Sequence, residues 1–227
     1  MTKLGIRTAV IGLCLTAVAC DSAPSAPAGP TSASGGTTSI QQEPSPVVRL
    51  TDFVQVGSST LVRTPNGINF NLSTTDLTAG HAYTLWFVVF NEPGQCAVPN
   101  ECAPGDVVND AAKPDMMYAT GRIAGGTEVA TFAGRRGVGD TSGSINAPVG
   151  LPAYGLLDPS RAEIHLAVHD HGSKLPEHMP DMIQTIDGGC TDAGIPAAGV
   201  ISPWNQHQFG SPGPNTCVTI QAAVHRP

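Results

Sequence analysis

Across residues 47–227, apolar side chains recur at every second position in short runs, and Gly, Pro, Asn or Asp interrupts each run within about ten to twenty residues. Ile68, Phe70 and Leu72 alternate with Asn69, Asn71 and Ser73. Val129, Thr131 and Ala133 alternate with Ala130 and Phe132, and Val218, Ile220, Ala222 and Val224 with Thr219, Gln221, Ala223 and His225. A period of two sends successive side chains to opposite faces of a strand, and no long stretch carries a helical period. Tyr83–Phe90, YTLWFVVF, is apolar on both parities, the pattern of a central strand covered on both faces. With 26 Gly and 20 Pro spread between such runs, the pattern predicts an all-β chain: an antiparallel β-sandwich or barrel of about eight strands. Residues 91–114, 134–159 and 187–215 are longer than hairpin connections need, so long loops are expected to decorate it.

Before this region the chain changes character. Lys3 and Arg7 precede an apolar run from Thr8 to Ala19, which ends in Ala17-Val18-Ala19 before Cys20. The run is too short to span a bilayer, and a charged start with a small-residue exit describes a cleaved signal peptide over 1–19. It resembles the bacterial lipoprotein signal, with Ala17 where Leu is commoner. That resemblance implies a diacylglyceryl and an amide-linked chain such as palmitate on Cys20, enough for stable membrane attachment. Cleavage by ordinary signal peptidase at the same site would leave Cys20 unmodified. Residues 20–46 are then a Ser, Ala, Pro, Gly and Thr tether without an aromatic residue, too poor in apolar surface to offset its ordering entropy. Roughly 180 residues remain, over 47–227, enough for one globular domain with a proper core. The expected location is the bacterial cell envelope on the extracytoplasmic side, periplasm or cell surface.

The whole chain carries a formal charge of −7, and loss of Lys3 and Arg7 makes the mature chain more acidic still. Phosphate neutralisation needs a basic stripe, and Arg135-Arg136 is the nearest approach to one, so nucleic acid is excluded as a partner.

Four cysteines lie in the domain, Cys96, Cys102, Cys190 and Cys217, an even number in a compartment where disulfides persist. Three pairings are possible; local pairing, Cys96 with Cys102 and Cys190 with Cys217, is the simplest and would staple two of the long loops. A zinc site of four cysteines is the alternative, although neither pair has the spacing that structural zinc sites favour.

Chemistry concentrates in residues 162–182, AEIHLAVHDHGSKLPEHMPDM, which hold four of the seven histidines. On a strand over 163–171, Ile164, Leu166 and Val168 face the core while His165, His169 and His171 share the opposite face. His169 and His171 stand about 7 Å apart along such a strand and can reach one ion, whereas His165 and His169, about 13 Å apart, cannot comfortably do so. His178, Met179 and Met182 could supply a third donor. Imidazole suits zinc and Cu(II), and thioether favours Cu(I), so mixed donors point to copper before zinc. The competing reading has histidines on a wet strand face, with Met179 and Met182 packing a helical turn onto the sheet.

No catalytic group stands out, and the chain is expected to be non-enzymatic. Thr141 replaces the serine in Gly139-Asp140-Thr141-Ser142-Gly143, so this run departs from a serine-protease nucleophile loop, and Ser142 sits wrongly for a nucleophile elbow. A tight loop held by side-chain to backbone hydrogen bonds explains it more simply. Glu163 and Asp170 have opposite strand parity, which is wrong for cooperating carboxylates.

The H-x-H pair on a strand of an exported, disulfide-bonded β domain is similar to the copper and zinc superoxide dismutases, but the further histidines and aspartate of a zinc loop have no match around Gly137–Ser144. A wider resemblance rests on AGHAYTLWFVVFNEPGQC at 79–96, VGDTSGS at 138–144, LLDPSRAEIHLAVHDHG at 156–172 and DGGC at 187–190. Together these resemble a group of exported bacterial β-rich proteins and lipoproteins of unassigned function. The resemblance implies a shared pattern of strands and cysteines, with Glu163, Ile164, His165, His171 and Gly172 in the common motif and His169 outside it. Two functions are therefore expected in competition: a non-enzymatic binding or envelope-associated module, and an extracytoplasmic copper or zinc protein using the 165–182 cluster.

Overall fold

The computed structural model describes residues 41–191, 204 and 207–227; the expected leader, Cys20 and the tether through residue 40 lie outside the described residues. Eight strands are described: β1 (Gln41–Arg49), β2 (Gln55–Thr64), β3 (Gly67–Thr74), β4 (His81–Phe90), β5 (Pro114–Ile123), β6 (Ala130–Gly137), β7 (Glu163–Ser173) and β8 (Val218–His225). They form one sheet in the order β5-β4-β7-β8-β1-β2-β3-β6, with every neighbouring pair antiparallel. The two end strands meet again. Arg122 on β5 donates to the Thr131 carbonyl on β6, and Arg136 on β6 donates to the Tyr118 carbonyl on β5 at 2.7 Å. The sheet is thus a nearly closed barrel, the second of the two architectures expected. The chain after β6 covers the remaining edge of β5: Tyr118 N–H donates to the Gly143 carbonyl at 2.8 Å, and Ile145 N–H to Met116 at 3.0 Å. Covered and closed edges are what keep a β protein from pairing with other chains.

One parity of each strand fills the barrel. Leu61, Ile68, Phe70, Leu72, Leu85, Phe87, Ile164, Leu166 and Val168 are all buried there, so the interior is a packed core. The other parity of β4 meets a second core outside the barrel, where Trp86, Val88 and Phe90 pack with Met116, Ile145, Ile186 and Trp204. That second core is why YTLWFVVF is apolar on both faces. Burial of each large side chain in it contributes about 1.5–3 kcal/mol, enough to hold long loops against the sheet.

Two strands depart from their sequence patterns. In β8 the inward parity is Gln221, Ala223 and His225, while Val218 is exposed and Ile220, Ala222 and Val224 are only part-buried. The polar residues are accepted inside because each has a partner: Gln221 with the Thr74 hydroxyl at 2.6 Å and the Thr75 carbonyl at 2.9 Å, and His225 Nε2 with the Ser59 hydroxyl at 2.9 Å. β1 begins at Gln41, inside the segment expected as tether, and pairs with β2 from Gln41↔Arg63 onward. Its pairing to β8 is confined to Val48 and Arg49. The half that contains Pro44 and Pro46 therefore pairs on one side only, where a missing N–H costs least. Glu43 adds an anchor by receiving the buried Arg63 guanidinium at 3.0 Å.

Both disulfides follow the local pairing, Cys96–Cys102 with Cα atoms 5.2 Å apart and Cys190–Cys217 with Cα atoms 5.6 Å apart. These separations are ordinary for cystine, and with all four sulfurs bonded in pairs the four-cysteine zinc site is ruled out.

Candidate functional site on the outer face of β7

The outward parity of β7 is Glu163, His165, Ala167, His169 and His171, the face expected for the histidines. The face is not wet. His169 and His171 are fully buried, and His165 is largely covered. The covering comes from the two cystine loops, one over each end of the strand.

At the start of β7, Glu163 is completely buried and its Oε1 accepts the backbone N–H of Cys102 at 3.1 Å. His165 Nε2 lies 2.7 Å from the same oxygen, and its ring stands edge-on to Phe90 with centroids 5.1 Å apart. A carboxylate that receives a loop N–H and an imidazole N–H is a structural anchor for the Cys96–Cys102 loop.

At the far end, His171 Nδ1 lies 3.0 Å from the Gly188 carbonyl oxygen, and its Nε2 lies 2.9 Å from the Thr84 hydroxyl. Because a carbonyl can only accept, Nδ1 carries the proton and Nε2 accepts from Thr84. Thr84 in turn accepts from Trp86 Nε1 at 2.9 Å. Indole, hydroxyl, imidazole and loop carbonyl thus form one chain of donors from the barrel to the Cys190–Cys217 loop. The next residue, Gly172, has a left-handed φ of 75°, and a Cβ there would crowd the Asn215 side chain, whose Nδ2 donates to the carbonyls of His171 and Ser173. Glu163 and His171 of the Glu-Ile-His and His-Gly motif therefore each fasten a loop, and His165 supports the Glu163 carboxylate.

His169 differs. Its Nδ1 lies 3.1 Å from the hydroxyl of Thr219, its register partner on β8, its buried Nε2 makes no well-formed hydrogen bond among the described residues, and the Ile186 backbone is a further polar neighbour of the ring. The ring stands edge-on to His171 at a centroid distance of 4.9 Å. Burial holds both rings in the neutral form, His169 down to about 3 with His171 adding to the fall, and His171 down to about 4.

The same register explains a neighbour that the sequence reading missed. Because His169 faces Thr219, the residue two before Thr219 continues the face beside His171. That residue is Cys217. His169, His171 and Cys217 each bring one ligand atom within 4.8 Å of the others. Cys190, bonded to Cys217, has its Sγ 3.6 Å from His171 Nδ1. The spacing of the histidines predicted their meeting; the alignment of Cys217 depends on pairing between β7 and β8, which no local pattern reveals.

The other expected donors follow the strand. His178 ends a 3-10 turn over Pro176–His178 and precedes the short helix α1 (Met179–Met182). Met182 is fully buried against Gly189, and its sulfur accepts the Leu175 N–H at 3.3 Å; Met179 is part-buried. Among the described residues, the convergent group of histidine, cysteine and carboxylate donors is the one around Cys217, without His178.

Ser142 is part of a closed turn. Its hydroxyl and N–H both bond Asp140, whose carboxyl is held below its usual range mainly by that hydroxyl, and Asp140 pairs with Arg136 at 3.0 Å. Asp170 pairs with His81 at 3.0 Å, away from Glu163 on the opposite parity.

Comparison of the chain with protein-family models, curated proteins and solved structures found no match.

Proposed function

We propose that this chain is an exported, lipid-anchored β-barrel that serves the bacterial envelope as a non-enzymatic binding module, related to the exported proteins that its motifs resemble. The observation that carries the reading is the use made of its chemically capable side chains. Glu163 and His171 are occupied in fastening loops, His165 is bonded to Glu163, and the barrel interior is filled by side chains, so neither offers a substrate a place to react. The fold instead invests in holding long loops rigidly on the outside of β4 and β7. Val98, Val108 and Leu157, each more than a third exposed in the chain that follows β4 and precedes β7, supply apolar contact area.

The anchor is tested by fractionating cells that express the chain and its Cys20→Ala variant. Wild type is expected in the detergent phase with a diacylglyceryl-modified Cys20 at its new N-terminus, and the variant outside it. Wild type recovered as a soluble protein with an unmodified Cys20 contradicts the proposal.

A second reading is favoured by the buried Nε2 of His169, which stands beside His171 and makes no well-formed hydrogen bond among the described residues. Here the protein binds copper, or zinc, through His169 and His171 with a donor among His178, Met179 and Met182. Titration of the oxidised chain with Cu(I), Cu(II) and Zn(II) tests it: tight stoichiometric binding lost in a His169→Ala, His171→Ala variant supports it, and equal weak binding by both chains removes it.

A further inference from the structure

The cystine that closes the second loop sits where a metal would. Cys217 lies with His169 and His171 in a group whose ligand atoms are within 4.8 Å of one another, and Cys190 Sγ is 3.6 Å from His171 Nδ1. In a tetrahedral site with zinc–sulfur and zinc–nitrogen bonds of about 2.3 and 2.05 Å, sulfur and nitrogen ligands stand about 3.6 Å apart. In the oxidised chain the sulfurs spend their ligand capacity on each other.

We propose that in the reduced chain His169, His171, Cys190 and Cys217 bind one zinc ion at the place that the cystine occupies in the oxidised chain. Two thiolates and two imidazoles in a tetrahedral arrangement are the donor set that suits zinc. Each histidine also has the kind of outer contact that a ligating imidazole needs, one ring nitrogen on a threonine hydroxyl: His169 Nδ1 on Thr219 and His171 Nε2 on Thr84. The Nε2 of His169 has no well-formed hydrogen bond to give up among the described residues. His171 must exchange its Gly188 contact for the metal and move its proton to Nε2. Thr84 serves either tautomer, because a hydroxyl both donates and accepts.

The inference deepens the metal reading above and rests on its two histidines, but it replaces the His178, Met179 and Met182 donors with the cystine sulfurs. The chemistry balances in both directions. Two thiols and one Zn(II) give a zinc dithiolate and release two protons. The same two thiols, handing two electrons and their two protons to a disulfide oxidant that becomes a dithiol, give the cystine. A dithiol reductant reverses the second step. Zinc and oxidation thus compete for one pair of sulfurs, and an exported chain meets that choice before its cystine forms.

The test uses the full chain with Cys14→Ser, Cys20→Ser, Cys96→Ser and Cys102→Ser, so that Cys190 and Cys217 are its remaining cysteines, prepared reduced and oxidised, each with and without His169→Leu. Native mass spectrometry counts Zn(II) bound, and Co(II) in place of zinc reports thiolate ligation through sulfur-to-cobalt charge-transfer absorption. One Zn(II) per reduced chain is expected, with thiolate charge transfer, binding at least a hundredfold weaker in the oxidised chain, and a comparable loss in His169→Leu. Wild-type chain reduced by a dithiol is read the same way and should also take up zinc, which keeps the test independent of how well the serine variant folds. Equal tight binding by the oxidised chain overturns the inference and leaves the two-histidine reading standing. Tight binding that survives His169→Leu overturns it as unspecific thiol capture. No zinc binding in any form overturns the inference and the zinc arm of the metal reading, while the copper arm is decided by the copper titration above.

Discussion

His171 on β7 reaches the backbone carbonyl of Gly188, 3.0 Å away, and so holds a loop that the chain forms 17 residues later. Glu163 does the same for Cys102 at the other end of the strand's outer face. One face of one strand thereby fastens both cystine loops, and the polar residues that look most like a reactive site are used as fixings.

Replacing His171 with Phe keeps an aromatic ring and removes both hydrogen bonds. The Thr84 hydroxyl and the Gly188 carbonyl then lose a partner in a buried setting, at a cost of about 1–3 kcal/mol. Urea unfolding monitored by Trp fluorescence should show a lower midpoint with an unchanged slope.

Stability should also depend on pH through the buried histidines. His169, His171 and His225 are held at about 3, 4 and 4, each mainly by burial, whereas the unfolded chain protonates its histidines near 6.5. The unfolded state therefore binds more protons as the medium acidifies. Stability is fully present above about pH 6.5 and declines as pH falls toward 4. Thermal midpoints should be level between pH 7 and 8 and drop steadily below 6.5, while the ring signals of these histidines stay untitrated by NMR between pH 5 and 8.

Gly121 on β5 marks the seat of the second loop. A Cβ there would lie 2.0 Å from the Ile183 carbonyl oxygen, which also accepts the Tyr118 hydroxyl at 2.8 Å. Gly121→Ala must push the backbone at Ile183 away, and overpacking of this kind costs about 1–3 kcal/mol. A melting temperature lowered by several degrees, with intact far-UV circular dichroism, is the expected result.

The two staples should differ in worth. Cys190–Cys217 spans a sequence separation of 27 and Cys96–Cys102 one of 6. On the chain-entropy model, removing the first costs roughly 3–4 kcal/mol and removing the second roughly 2–2.5 kcal/mol. Paired Cys→Ser variants compared by denaturant unfolding check the order.

Much of this was legible from the residues. The alternation in Ile68–Leu72 marked a strand, the two-faced apolarity of Tyr83–Phe90 marked β4 as doubly covered, and the cysteine spacing marked both staples. The misreadings share a cause: the deciding partner lay far away in sequence. Gln221 and His225 turn inward because Thr74, Thr75 and Ser59 receive them, and the apolar half of β8 gave the opposite impression. Pro44 and Pro46 looked like tether because composition carries no information about an edge position. His169 and His171 looked like wet surface because the segment that buries them arrives from Ile186 onward. Cys217 was assigned its bridge, but its place in the histidine cluster comes from the register His169↔Thr219, which is fixed only when the barrel forms.

The most direct measurement is amide hydrogen exchange, read by mass spectrometry, on the oxidised chain and on its Glu163→Ala and His171→Ala variants. If β7 fastens the two loops separately, Glu163→Ala releases protection in residues 96–112 and leaves 183–190 as in wild type, and His171→Ala does the reverse, with the barrel strands protected in both. Loop protection that is unchanged in either variant, or a loss shared evenly with the barrel strands, would contradict the account.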